Sequence, residues 1–166
     1  MFDELTLVDI KKMEEEILYR ESVLAPKLGE ELRRTREFGD LSENAEYKEA
    51  KREKRRNEGR IRYLRNMIRT ARIIDVDKGD GIALFDKVTL FNEKNGQERQ
   101  IQIVTTLRQN ALEGLISKEA PLGAALMGRK EDERVLIEVS PTMSYYVKIM
   151  KVEKGEDDES IPISNY

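Results

Sequence analysis

Cysteine, histidine and tryptophan are all absent from this 166-residue chain. Without Cys there is no disulfide framework and no thiolate nucleophile. Without Cys and His there is no zinc site of the usual kind and no imidazole base. Proline is nearly missing from the first half: between residues 7 and 74 only Pro26 occurs, so this stretch is free to form long helices. No apolar run approaches the length of a membrane span, and no charged-then-apolar leader opens the chain. The expectation is a soluble, cytoplasmic protein without membrane association, and the lack of Cys fits a reducing compartment.

What the chain has in quantity is charge. Charged residues make up 38% and apolar residues 39%, a balance that suits an elongated, solvated part better than one compact sphere. The net charge is only −3, but the charges are sorted. Residues 48–72 hold eleven Lys/Arg against three Glu, an excess of +8, whereas residues 9–46 hold seven bases against eleven acids, or −4.

The sorting follows the periodicity. Thr6 and Asp9 form a capping-box-like start, after which Ile10, Met13, Ile17, Leu24, Leu28 and Leu32 recur at helical spacing, with a kink expected at Pro26. Gly39 is a natural stop. A second helix is expected from Asp40–Ser42, and its seam (Tyr47, Ala50, Lys54, Asn57, Ile61, Leu64, Ile68, Ala71) alternates by three and four. Two helices of about 30 residues joined by a tight turn predict an antiparallel coiled-coil hairpin about 45 Å long. Its polar seam near the turn implies a tip that no other part of the chain buries.

After a DVDKGDG cluster the period changes to two. KVTLFN and ERQIQIVT flank an Asn95-Gly96 turn, a short helix fits Pro121–Met127, and RVLIEV and SYYVKIMKV predict two more strands. The expected fold class is therefore α+β. Its parts are a helical hairpin over 1–75 with an acidic tip at 38–46, a linker over 76–81, a small antiparallel-sheet domain over 82–152, and an acidic flexible tail over 153–166.

The tip, FGDLSENAEY, fits two readings. Asp40, Ser42 and Glu43 stand where a helix start needs caps. Equally, Asp40 and Glu43 are two hard-oxygen donors at the end of a rod, suited to a share of a Mg²⁺ ion held mostly by another macromolecule. Such a pair binds metal weakly alone and strongly only in complex. The basic run fits two readings as well. Lys48, Arg55, Arg62 and Arg69 recur at seven-residue steps and, with Arg52 one helical turn after Lys48, form a stripe. It is either a solvated, cross-paired face or a surface for phosphates, read without sequence preference.

GDLSENAEY (Gly39–Tyr47) resembles the signature of the bacterial Gre-type transcript cleavage factors, the GreA/GreB family. EGRI, RIIDVD and LISKEAPLGAALMGRKEDE extend the likeness over roughly residues 6–152, and the cationic KREKRR and RIRYLR segments are closer to the GreB type. The resemblance implies a hairpin that enters the secondary channel of bacterial RNA polymerase and an FKBP-like domain that docks at its rim. It implies a transcription elongation factor that stimulates the polymerase's own Mg²⁺-dependent cleavage of extruded 3′ RNA. The chain is then not itself an enzyme, binds no cofactor alone and takes no small-molecule substrate.

By motif position, Asp40 and Glu43 hold the polymerase's Mg²⁺ and Ser42 lies near the attacking water. Leu41, Glu119 and Pro121 contact polymerase. Arg36, Lys51 and Arg52, with Lys48 and Arg55 of the stripe, meet RNA. Asn44 and Tyr47 shape the tip. SPTMS (Ser140–Ser144) stands where the family has a glycine-rich turn, and Ala120 replaces a common Ser before Pro. A relative that only plugs or regulates the channel is the alternative, against which the intact DLSEN argues. A general RNA chaperone needs the stripe but not the tip.

Overall fold

The structure, a computed structural model, describes residues 3–37, 44–76 and 79–165. In chain order its elements are β1 (Glu4–Leu5), α1 (Leu7–Tyr19), α2 (Ala25–Arg36), α3 (Ala45–Thr70), β2 (Arg72–Ile73), β3 (Lys87–Asn92), β4 (Gln97–Val104), β5 (Leu115–Ser117), α4 (Pro121–Leu126), β6 (Arg134–Ser140) and β7 (Met143–Glu153). The fold is α+β, with an N-terminal helical region and a mixed sheet. Two compact units divide it: Ile10–Ala71, and Met1–Asp9 together with Arg72–Tyr166. The first nine residues thus belong with the sheet rather than with the helices that the sequence assigns to 1–75.

In the helical unit, a π-helical turn over Arg20–Leu24 joins α1 to α2, and Ala25 N–H reaches back to Arg20 C=O. The cause sits one residue on. Pro26 has no N–H and its ring crowds the carbonyl four residues earlier. Widening the turn ahead of it relieves both problems while the helix continues.

Helix α3 buries Ala50, Asn57, Ile61 and Leu64, all on the seam that the heptad spacing picks out; Lys54, also on that seam, stays exposed. The helices run in opposite directions, since partner positions in α3 fall as those in α1 and α2 rise: Arg60 to Glu16, Asn57 to Arg20, Asn44 to Thr35. Buried Asn57 accepts from the Arg20 guanidinium at 2.9 Å and donates from Nδ2 to the Arg20 carbonyl at 3.3 Å. The amide therefore satisfies groups at the π turn, where regular helical bonding is broken.

Glu16 is the charged centre of this unit. Burial pushes its carboxyl up, but hydrogen bonds from Arg60 (2.7 Å) and Arg20 (3.0 Å) outweigh that and hold it below its ordinary value of 4.5. A depressed folded pKa contributes stability that is complete above 4.5 and is lost as pH falls through the folded value. Glu16→Gln is expected to cost about 1–2 kcal/mol at neutral pH and to flatten the acid limb of stability. Melting of helical circular dichroism at pH 7 and at pH 3–4 checks both parts.

In the other unit the sheet order is β5-β4-β3-β7-β6. Four strands are antiparallel neighbours, but β5 runs parallel to β4, pairing Gln102 with Leu115 and Val104 with Ser117. The sheet is therefore mixed, not antiparallel throughout. Three residues are too few to show a period in sequence. Alternate residues face inward: Val88 and Leu90, Ile101 and Ile103, Val135 and Ile137, Val147 and Ile149 are all buried, with Leu126 of α4 packed against them. Each such side chain contributes roughly 1.5–3 kcal/mol on burial. β6 returns into β7 through Pro141 and Thr142, where the Ser140 and Thr142 hydroxyls lie 3.3 Å apart.

The tail corrects an expectation. It is not a free acidic segment: Ile161 and Ile163 are buried, and Ser164 N–H donates to Leu107 C=O at 2.7 Å. Gly155 N–H donates to Asp86 Oδ1 at 3.0 Å. Two apolar residues at alternating positions, following the acidic run, supply the burial that the run itself lacks.

Candidate functional site

The residues expected at the tip, Asp40, Leu41, Ser42 and Glu43, lie outside the described residues. What the structure places is their frame. Asn44, not Ser42, is the N-cap of α3: its Oδ1 accepts Tyr47 N–H at 2.9 Å. The same amide donates from Nδ2 to Thr35 C=O at 2.8 Å, and Thr35 is fully buried. One side chain thus starts α3 and ties it to the last turn of α2. The capping reading of the acids weakens accordingly, because the N-cap of α3 is already filled.

The cations come together around Tyr47. Arg36, at the end of α2, lies 5.9 Å from the ring centroid, and Lys51, one turn along α3, lies 5.4 Å from it. Both distances are within cation–π range. Two of the expected RNA contacts therefore share one aromatic platform beside the segment carrying Asp40 and Glu43.

Lys48, Arg52, Arg55, Arg62 and Arg69 are all exposed. Arg52 bonds Glu49 at 2.8 Å and Arg69 bonds Asn66 at 2.6 Å. Pairs between helices use Arg60, Arg65 and Arg34 instead. Lys48, Arg55 and Arg62 make no ion pair with a described residue, and exposed i,i+3 pairs such as Arg52–Glu49 hold their cations only weakly. The excess positive charge of α3 is thus available on one solvated stripe.

The second site lies on the sheet unit. Buried Ser117 ends β5 and sets the next turn: its Oγ accepts Glu119 N–H at 3.1 Å and its carbonyl accepts Ala120 N–H at 3.0 Å. Lys118 Nζ bridges Glu4 and Glu119, the latter at 3.0 Å. Burial lowers the Lys118 pKa, but the two carboxylates outweigh this and raise it. The Glu119 carboxylate is still more than half exposed. Pro121 is exposed at the first turn of α4, whose N-cap Ala120 makes no side-chain bond. Gly123 is required here: a Cβ would stand 2.1 Å from Ser117 O. Glu119 and Pro121 are thus held as a small outward-facing loop.

Sequence reasoning missed Arg108. Its side chain is fully buried, with Nε donating to Asp9 Oδ1 at 2.7 Å and the guanidinium also bonding Asp157. It lies 4.7 Å from the Phe85 ring centroid. No group of three or more His, Cys, Asp or Glu suited to a metal occurs among the described residues. Nor does any of them form a helix long and apolar enough to cross a membrane.

Comparison with known proteins places this architecture. Residues 4–73 match the family described as "Transcription elongation factor, N-terminal", and residues 77–154 match "Transcription elongation factor, GreA/GreB, C-term". The chain is a transcription elongation factor. It belongs to the GreA/GreB family. It is 37% identical over 152 residues to transcription elongation factor GreA of Caldanaerobacter subterraneus, covering 90% of this chain and 96% of that one. It is 38% identical over 143 residues to GreA of Bacillus subtilis, covering 86% and 90%. Both relatives are named GreA, despite the cationic second arm. The crystal structure of GreA factor homolog 1 of Thermus thermophilus aligns over 93% of this chain and all of that one, with 22% identity and a TM-score of 0.43.

Proposed function

We propose that this elongation factor stimulates the intrinsic Mg²⁺-dependent cleavage of backtracked RNA by bacterial RNA polymerase, as an accessory factor and not as an enzyme. In this reading the helical unit acts as a coiled-coil hairpin inserted in the secondary channel. The sheet unit acts as an FKBP-like docking domain at the rim, contacting polymerase through Glu119 and Pro121. The observation that carries the reading is the frame around residues 38–43. Asn44 closes the segment against Thr35, and Arg36 and Lys51 gather on Tyr47 beside it.

The donor chemistry fits the metal. Asp40 and Glu43 offer hard oxygens, which Mg²⁺ prefers, and two carboxylates leave room for ligands from the polymerase. When bound, the ion would activate a water and stabilise charge on the leaving oxygen. The chain's own part is to bring carboxylates, with Ser42 beside the water and Leu41 against polymerase. Its cations, Arg36, Lys48, Lys51, Arg52 and Arg55, hold the extruded strand by its phosphates.

RNA shortening from the 3′ end in stalled, backtracked complexes, with and without the protein, tests the proposal. No acceleration at saturating protein would overturn it. The stripe has its own test. Charge reversal at Arg52 and Arg55 is expected to slow cleavage of long extruded RNA by about 10-fold, and that of dinucleotide-length extrusions much less, with a flatter salt dependence. Equal slowing at both lengths would remove the stripe from RNA contact.

A further inference from the structure

The matched family region ends at residue 154, yet the chain beyond it is bound along its length. Lys154 Nζ and Gly155 N–H both bond the buried Asp86 carboxylate, at 2.9 and 3.0 Å. The Asp157 carboxylate accepts from Arg108 and from Thr6 Oγ1. Asp158 C=O accepts from Arg108 Nη1 at 3.1 Å. Ile161 and Ile163 are buried. Ser164 donates from its N–H to Leu107 C=O at 2.7 Å and from Oγ to Gln109 C=O at 2.8 Å. Residues 154–164 are thus a strap fixed at both ends and in the middle.

The strap's far end grips residues 107–109, which lead into the docking loop. Asn110 exchanges backbone bonds with Leu115 at 2.8 and 2.9 Å, β5 follows, and Ser117 sets the turn that presents Glu119 and Pro121. Pro162, Ile163 and Ser164 line a cavity of about 510 Å³ together with Ser117 and Ala120. The hydrogen-bonded route from the strap to the loop runs through 107–109 and β5.

The strap is also the replaceable partner of Arg108. Asp9 bonds Arg108 Nε at 2.7 Å and Thr105 Oγ1 at 3.1 Å, so a neutral buried pair persists when Asp157 withdraws. Losing Asp9 would be different in kind, as it would also leave Thr6 N–H without its acceptor.

We propose that the strap is a positioning element for the docking loop, which tunes the affinity for polymerase without touching the cleavage chemistry. This rests on the docking reading above. Two variants lift the strap by unrelated means: Asp157→Ala removes the carboxylate, and Gly155→Ala places a Cβ 2.0 Å from Phe85 O. Circular dichroism first confirms that each variant is folded. In titrations of backtracked complexes, both are expected to raise the half-saturating protein concentration about 5–10-fold, with the rate at saturation unchanged. Asp157→Glu should restore part of the affinity. In the free protein, amides within 107–120 should exchange hydrogen about 10-fold faster.

Unchanged half-saturation in both variants, against an active wild type, overturns the strap's role while the docking reading stands. A fall in the saturating rate overturns it too. If wild type fails to bind polymerase, the docking reading falls, and the proposed tuning of affinity falls with it. The exchange experiment needs no polymerase and separates that failure from the strap's own. Unchanged exchange within 107–120 removes the brace itself, and faster exchange upholds it.

Discussion

Asp40→Asn combined with Glu43→Gln is expected to abolish cleavage stimulation, lowering the rate at saturating protein by on the order of 100-fold or more, while binding to polymerase persists. The substitutions keep size and hydrogen-bonding capacity and remove only the anionic charge that Mg²⁺ requires of its ligands. The cap of α3 is Asn44 and not either acid. The helical signal and melting temperature of the double variant should match wild type. The Mg²⁺ dependence supplies the sharper readout: wild type should reach half its rate at lower Mg²⁺ than polymerase alone, and the double variant should not. A variant that still stimulates would return the acids to surface charge. A wild type that binds polymerase without stimulating cleavage would instead place the function in blocking or regulating the channel.

The features legible in the sequence are those set by local period. Ala50, Asn57, Ile61 and Leu64 lie on the spaced seam and are buried. The strands around Asn95-Gly96 and the start of α4 at Pro121 also follow from local rules. Thr6 and Asp9 form the reciprocal box that their spacing suggests, with Thr6 N–H to Asp9 at 3.0 Å and Asp9 N–H to Thr6 Oγ1 at 3.3 Å. What stayed hidden was partnership at a distance. Arg108 reads as one more surface base until Asp9, 99 positions away, is placed beside it. Asp157 sits in a run whose composition says solvent, yet a guanidinium 49 positions earlier holds it. At Pro26 the sequence announces a disturbance but not its form, since kink, break and π turn all answer the missing N–H. The frame of the tip was half legible. DLSEN draws attention to its acids, whereas Asn44 carries the geometry, capping α3 and gripping α2 with one amide.

Asp9→Ala is expected to be the most destabilising single substitution on the sheet unit, costing about 3–5 kcal/mol. The reason is the number of groups that one carboxylate satisfies. Oδ1 accepts from Arg108 Nε and Thr105 Oγ1, and Oδ2 accepts Thr6 N–H, all at zero exposure of the acid. Removing it leaves the hydroxyl of fully buried Thr105 and the N–H of Thr6 without that acceptor. It also leaves the buried Arg108 with Asp157 as its one remaining carboxylate, on a strap that is itself part exposed. The melting temperature should fall by roughly 10–20 °C. Replacing the pair together, as Asp9→Leu with Arg108→Met, should cost less than Asp9→Ala alone. A buried guanidinium left with one part-exposed carboxylate is worse than no charge there. That reversal of additivity separates an electrostatic clasp from simple loss of packing, since packing losses would add. If the double variant were instead the weaker fold, the cluster's contribution would lie in the shape of Arg108 against the Phe85 ring, 4.7 Å away, and not in its charge.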